Sequence, residues 1–165
     1  MSTENQEQID YWNNKAGKTW TELQERTDQL LNPFSQEAIA VAKINPSESV
    51  IDVGCGCGAT SLAISELGAE VTGVDVSIPM LNLARERSKN VSFIEADAST
   101  YQSSKKFDLV FSRFGVMFFA DPYKAFANLH SLSAGDGRLA FVCWQSPKNN
   151  PWMAIPGQVV RSFLP

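Results

Sequence analysis

The sequence predicts an α/β fold: a Rossmann-like open parallel sheet with helices on both faces. Three observations carry this expectation. β-Branched apolar runs recur along the chain, and each is followed by a stretch with helical spacing. Glycine- or aspartate-bearing turns separate the two kinds of segment. The first run, Val50 to Val53, breaks into Gly54-Cys55-Gly56-Cys57-Gly58 and passes straight into a helical pattern. Strands that alternate with helices are joined by crossovers, so they pair in parallel and are covered on both faces.

The 165 residues make one domain by size. We divide residues 1–165 into an N-terminal helical cap over 1–45, a Rossmann-like core over 46–144, and a loop with a partial helix over 145–165. Hydrophobic residues are 44% and charged residues 19%, enough apolar surface for a core and against global disorder. The net charge of −4 argues against a nucleic-acid partner, which needs a basic patch. No apolar run reaches the length of a membrane span, and the chain opens with the polar Met1-Ser2-Thr3-Glu4. With three cysteines and no disulfide framework, a cytoplasmic protein is expected. Cys55-x-Cys57 lacks a second ligand pair, and the chain has one histidine, so no metal is expected.

In order, residues 4 to about 31 carry helical apolar marks at Ile9, Trp12, Ala16, Trp20, Leu23, Leu30 and Leu31, interrupted near Gly17 and ended by Asn32-Pro33. Ser35 caps a second helix through Ile44, which Asn45-Pro46 stops. Val50–Val53 is the first strand. The helix after the glycine turn places Leu62, Ala63, Ile64 and Leu67 on one face, and Gly68 stops it. Glu70–Asp75 is the second strand. Ser77 caps the next helix, with Pro79 in its first turn and Met80, Leu81 and Ala84 inward. Val91–Asp97 and Phe107–Ser112 are the third and fourth strands. Asp121-Pro122 opens a helix with Ala125, Phe126, Leu129 and Leu132 inward. Gly135-Asp136-Gly137 turns into the fifth strand, Arg138–Trp144, after which 145–152 is a loop and Ile155–Pro165 starts a helix. The expected strand order is 3-2-1-4-5, with a ligand at the C-terminal strand ends beside the glycine turn.

That turn suits a ligand that touches bare backbone. Glycine permits positive φ and has no Cβ to hold the ligand away, and the helix behind it offers free N–H groups and a positive dipole end. The spacing Asp52-x-Gly54-x-Gly56-x-Gly58, with Asp75 ending the second strand and Asp97 the third, resembles the S-adenosylmethionine loop of the class I methyltransferases. Tyr11-Trp12-Asn13 and Trp20 resemble the N-terminal segment of ubiquinone-biosynthesis-like small-molecule methyltransferases.

The resemblance implies S-adenosylmethionine as cofactor and assigns residues to its parts. Gly54, Cys55 and Gly56 offer backbone to the amino-acid end. Asp52 orients the loop or meets the amine. Asp75 takes the ribose hydroxyls, since a carboxylate accepts two hydrogen bonds. Val76 and Met80 flank the adenine, and Asp97 with Ala98 meets its amino group. The backbone at Ser112, Arg113 and Phe114 borders the methionine, and Trp20 covers the cleft. The implied activity is direct in-line methyl transfer to a small-molecule acceptor. No dedicated base stands out, so no catalytic residue is assigned. Arg113 either pairs a substrate acid or satisfies strand-end carbonyls. Phe114, Phe118 and Phe119 form either a substrate wall or core, and His130 is a surface histidine.

Two other readings stand beside this one. A nicotinamide or flavin domain shares the fold logic, but its fingerprint is G-x-G-x-x-G, not G-x-G-x-G. A shortened methyltransferase that binds cofactor or a partner without turnover is the other, because the family's strands six and seven are expected to be absent here. The fifth strand would then be an open apolar edge inclined to self-association.

Overall fold

The computed structural model describes residues 5–161 and 163, without the side chains of Lys15 and Met153. Five parallel strands form one sheet in the order β3-β2-β1-β4-β5, as expected. The strands are β1 (Ser49–Val53), β2 (Glu70–Asp75), β3 (Ser92–Glu95), β4 (Phe107–Arg113) and β5 (Ser133–Val142). The helices are α1 (Gln6–Asn13), α2 (Lys15–Glu22), α3 (Gln24–Ala42), α4 (Ala59–Glu66), α5 (Ile78–Arg87), α6 (Pro122–Leu132) and α7 (Pro151–Arg161). Successive strand residues point to opposite faces, so the two-residue alternation splits the core in two. Val50, Val71, Leu109 and Phe111 pack with Ala42, Ile64, Leu81 and Ala84 of α3, α4 and α5. Ile51, Val53, Val74 and Val110 pack on the other face with Leu129 and Leu132 of α6.

Several expectations are corrected. The chain does not break at Asn32-Pro33, and Ser35 is not a cap. Helix α3 runs through Pro33, and the Ser35 hydroxyl donates to the Leu31 carbonyl at 3.2 Å. Proline removes a bond to the carbonyl four residues back, here that of Gln29, an exposed residue whose carbonyl water can reach. Leu31, Ala38, Ile39 and Ala42 bury a continuous stripe that outweighs the lost bond. The helix ends at Lys43, in the left-handed region at φ 49°, one residue before Ile44.

Nearer the N-terminus the break falls at Asn14, not Gly17. Gly17 lies inside α2, where a Cβ would sit 2.1 Å from the Trp12 carbonyl oxygen and 2.7 Å from Ser77 Oγ. Leu23 and Leu30 are exposed rather than inward, and so is Leu67, the residue that follows α4. Gly68 does stop α4, at φ 90°. Ser77 stands at the head of α5, but its hydroxyl donates to the Trp12 carbonyl at 2.8 Å instead of capping. Asp121 caps α6 as expected, accepting from the Lys124 N–H. The third strand is shorter than Val91–Asp97, because beyond Glu95 the chain turns under Asp97. Helix α7 starts before Ile155, at Pro151; Leu164 and Pro165 lie outside the described residues.

The fifth strand also differs at both ends. It begins at Ser133, with Phe107 opposite Ser133 and Leu109 opposite Arg138, so residues 134–137 bulge from the ladder. It ends at Val142, and Trp144 leaves the sheet to stack on Phe114 with ring centroids 4.5 Å apart. Arg138 pins the bulge. Its guanidinium donates to both Glu48 carboxylate oxygens, at 2.6 and 3.1 Å, and to the Ala42 and Lys43 carbonyls at 2.8 and 3.1 Å. Those hydrogen bonds hold the Glu48 carboxyl down at about 2. β5 is an edge strand, and the side chains of Leu139 and Phe141 are 45% and 44% exposed along it. No helix among the described residues is long and apolar enough to cross a membrane.

Candidate active site

The site grows from the end of β1. Gly54, Gly56 and Gly58 have φ of 70°, 55° and 82°, a region that side-chain-bearing residues avoid, so the turn needs glycine there. The Gly54 and Cys55 N–H groups donate to the Val74 carbonyl at 2.8 and 3.2 Å, which fixes the turn to β2. Asp75, the last residue of β2, clamps it a second time. One carboxylate oxygen accepts from the Gly56 N–H and the other from the Ser77 N–H, each at 2.8 Å. Burial pushes the Asp75 carboxyl up, and the bonds from Ser77 and Gly56 oppose that.

A cleft opens above the turn. Of the residues expected at the site, Trp20, Gly54, Gly56, Asp75, Val76, Met80, Asp97 and Ala98 line it. Asp97 is buried and accepts from the Ser99 N–H at 2.9 Å. Asp52, Cys55 and Ser112 do not line it; they brace it from behind. Asp52 is fully buried, and one of its oxygens accepts from Thr60 Oγ1 at 2.7 Å and Ser61 Oγ at 2.6 Å, tying β1 to the head of α4. Burial pushes its carboxyl up against those two bonds. These bonds brace the turn from beneath. The Cys55 side chain packs into the core, where burial pushes its thiol well up; Cys57, at the cleft, is pushed up to about 12, also by burial. The Ser112 hydroxyl donates to the Val53 carbonyl at 2.7 Å and accepts from the Val116 N–H at 3.3 Å. It fastens β1 to the segment after β4 where Gly115 meets Gly54.

The opposite wall comes from the N-terminal helices. Asn13 donates to the Val76 carbonyl at 2.7 Å and accepts from the Ile78 N–H at 2.9 Å, which holds α1 against the head of α5. Trp12 is thereby set over the cleft, edge-on to Trp20 at 5.7 Å and to Phe118 at 5.2 Å, while Tyr11 faces solvent. Phe114, Phe118 and Phe119 line the cleft; Phe114 is also buried, and Phe119 packs against the second core cluster. Phe114 sits at φ 66°, a strained setting for an aromatic residue and one typical of functional sites. His130 is exposed on α6. Sequence reasoning missed Asn5, Gln8, Gln24 and Leu31, which also face the cleft. Gln8 and Trp12 are four apart on α1, so that tryptophan carried the signal for Gln8; Gln24 opens α3, a helix apart from Trp20 on α2. The described residues contain no cluster of His, Cys, Asp or Glu suited to a metal.

A family model described as a methyltransferase domain matches residues 50–137, from β1 to the bulge of β5. The chain belongs to that family, and its fold is that of the class I S-adenosylmethionine-dependent methyltransferases. Among relatives, the malonyl-[acyl-carrier protein] O-methyltransferase of Salmonella typhimurium is 35% identical over 123 residues, 71% of this chain and 49% of that one. The trans-aconitate 2-methyltransferase of Escherichia coli is 32% identical over 115 residues, 68% of this chain and 44% of its own. Among solved structures, the magnesium protoporphyrin IX methyltransferase of Synechocystis PCC 6803, with bound S-adenosylmethionine, superposes with a TM-score of 0.67. It is 20% identical, and the alignment covers 86% of this chain and 76% of that one. The chain spans about half the length of the two relatives.

Proposed function

We propose that this domain binds S-adenosylmethionine in the cleft and directs its methyl group in line to a small-molecule acceptor. The carrying observation is the Asp75 carboxylate joined to the Gly56 N–H, which sets a cradle without side chains next to a carboxylate with lone pairs to spare. The cradle is of a kind that a ligand fills: a Cβ on Gly56 would intrude at the cleft. Buried amide oxygens of Asn5, Gln8 and Gln24 have no partner there, so the opposite wall has hydrogen-bonding capacity left over for a polar ligand. Membership of the methyltransferase family supports this reading over a nicotinamide or flavin one.

The cofactor, when bound, would supply a methyl group on a sulfonium, with a neutral thioether as the leaving group. The protein's part is alignment and exclusion of water. Gly54 and Gly56 meet the amino-acid end, Asp75 the ribose hydroxyls, and Val76, Met80, Asp97 and Ala98 the adenine. Trp12, Trp20, Phe114, Phe118 and Phe119 wall the space into which the methyl group points. The expected cytoplasmic location and single-domain organisation belong to the same proposal.

Calorimetry with S-adenosylmethionine tests it. The parent should bind, and Asp75→Ala should bind more weakly by roughly 1.5–3 kcal/mol, the scale for losing hydrogen bonds to a charged group. Asp75→Asn should lose less, because one acceptor oxygen remains. Equal affinity in all three proteins would reduce Asp75 to a turn former.

We also propose that β5 pairs with a second copy of the chain, since no strand among the described residues pairs its outer edge and Leu139 and Phe141 lie exposed along it. Light scattering across a dilution series should show a dimer that Phe141→Lys dissociates. A parent that stays monomeric at high concentration would refute this.

A further inference from the structure

The cleft lining includes a cation that no group among the described residues neutralises at contact distance. Arg113, the last residue of β4, is half-buried and lines the cleft wall beside Gly115. Its Nε is buried with no hydrogen-bond partner among the described residues. Two carboxylates, Asp52 and Asp28, reach it with their charge, but neither forms an ion pair or hydrogen bond with it. Asp52 accepts from Thr60 and Ser61 through one oxygen, and its other oxygen is buried without a hydrogen-bond partner. Asp28 pairs with Arg87 at 2.8 Å and accepts from the Gln24 amide. Burial pulls the Arg113 guanidinium below its ordinary range, so the fold bears a cost by holding it there. No carbonyl among the described residues takes its Nε–H, so the strand-end role is not seen there. The planar guanidinium fork has the shape that fits a carboxylate with two parallel hydrogen bonds.

We infer that Arg113 receives a carboxylate of a ligand bound in the cleft, through a two-pronged ion pair. The inference rests on the reading of the cleft as the S-adenosylmethionine site. Two ligands bring that chemistry: the cofactor, through the carboxylate of its amino-acid end, and a methyl acceptor that is itself a carboxylic acid. The first places Arg113 among the cofactor's holders. The second makes Arg113 the residue that selects acids as acceptors. Gln24 suits the first case: its unpartnered Oε1, in the same cleft, accepts hydrogen bonds and so fits the ammonium group beside the cofactor's carboxylate.

The test uses calorimetry on the parent and the Arg113→Gln and Arg113→Lys variants. The probes are S-adenosylhomocysteine, 5′-methylthioadenosine (the nucleoside thioether without the amino-acid end), and trans-aconitate titrated into protein saturated with S-adenosylhomocysteine. If the carboxylate is the cofactor's, Arg113→Gln loses ten- to a hundredfold in affinity for S-adenosylhomocysteine and nothing for methylthioadenosine. If it is the acceptor's, both nucleosides bind as in the parent and the parent's binding of trans-aconitate disappears. Arg113→Lys keeps the charge without the fork and should fall between parent and Arg113→Gln. Thermal melting without ligand should leave Arg113→Gln at or above the parent, because a guanidinium that burial disfavours, with no hydrogen bond from its Nε to lose, is gone. A fall of more than about 6 °C, on the scale of roughly 2–4 °C per kcal/mol for a domain of this size, would mean that Arg113 serves Asp52 within the fold, and would overturn the inference. So would an Arg113→Gln variant that matches the parent toward all three probes. A parent that binds neither nucleoside fails earlier and overturns the cofactor reading, and the inference with it.

Discussion

Gly56→Val should yield a folded protein that does not bind S-adenosylhomocysteine. At φ 55° a branched residue costs on the order of 1–3 kcal/mol, which the domain can absorb. The new Cβ would lie 2.8 Å from Met80 Cε, the far end of a flexible side chain that can swing away. What cannot move is the rest of the valine, which fills the cradle that Gly56 now leaves open. We expect at least a hundredfold loss by calorimetry, with circular dichroism unchanged and melting lowered by only a few degrees. Affinity within threefold of the parent would show that the ligand does not lie on this turn.

The second large effect falls on stability. Gly115 has an ordinary φ, so its requirement for glycine is one of contact and not of conformation. A Cβ there would stand 2.4 Å from the Val53 carbonyl oxygen and 2.8 Å from Gly54 Cα. Both are backbone atoms, and no rotamer relieves them. Gly115→Ala must separate β1 from the segment after β4. We expect a cost of about 3 kcal/mol or more, in the upper range for overpacking, and a melting temperature lower by roughly 6–12 °C. Gly135→Ala, in the exposed bulge with nothing within 4 Å of its Cβ, is the matched control and should change little. A Gly115→Ala protein within about 1 kcal/mol of the parent would mean that the two backbones do not cross this closely.

The legible parts of the fold share a cause. Strand order, the glycine turn, Asp75 at the end of β2 and the cap at Asp121 are set by residues within a few positions of the feature they produce. Pro33 misled because its effect depends on whether Gln29 reaches water and on how deeply Leu31 and Ala42 are buried. The bulge at 134–137 looked like a turn before the strand because its partner, Glu48, lies 90 residues from Arg138. At the site, the acids and glycines were found by spacing. Asp52 and Ser112 stand on correctly predicted strands but face inward, and one residue of register decides which side of the sheet a group serves. Asn5, Gln8 and Gln24 carry no motif; only the docking of α1 and α3 brings them to the cleft.

The two walls of the cleft have different relations to the fold. The strand-end wall is made of residues that also hold the sheet together: Asp75 ties the turn to β2, and Gly115 lets two backbones cross. The facing wall, with Gln8, Trp12, Trp20 and Gln24, contributes none of these residues to either buried cluster of the sheet. Substitutions in the facing wall can thus recut the cleft while the sheet's stability passes unaltered to descendants. On the proposed function, a fold divided in this way is suited to diversifying by duplication, each copy inheriting the same donor chemistry and free to acquire its own recipient.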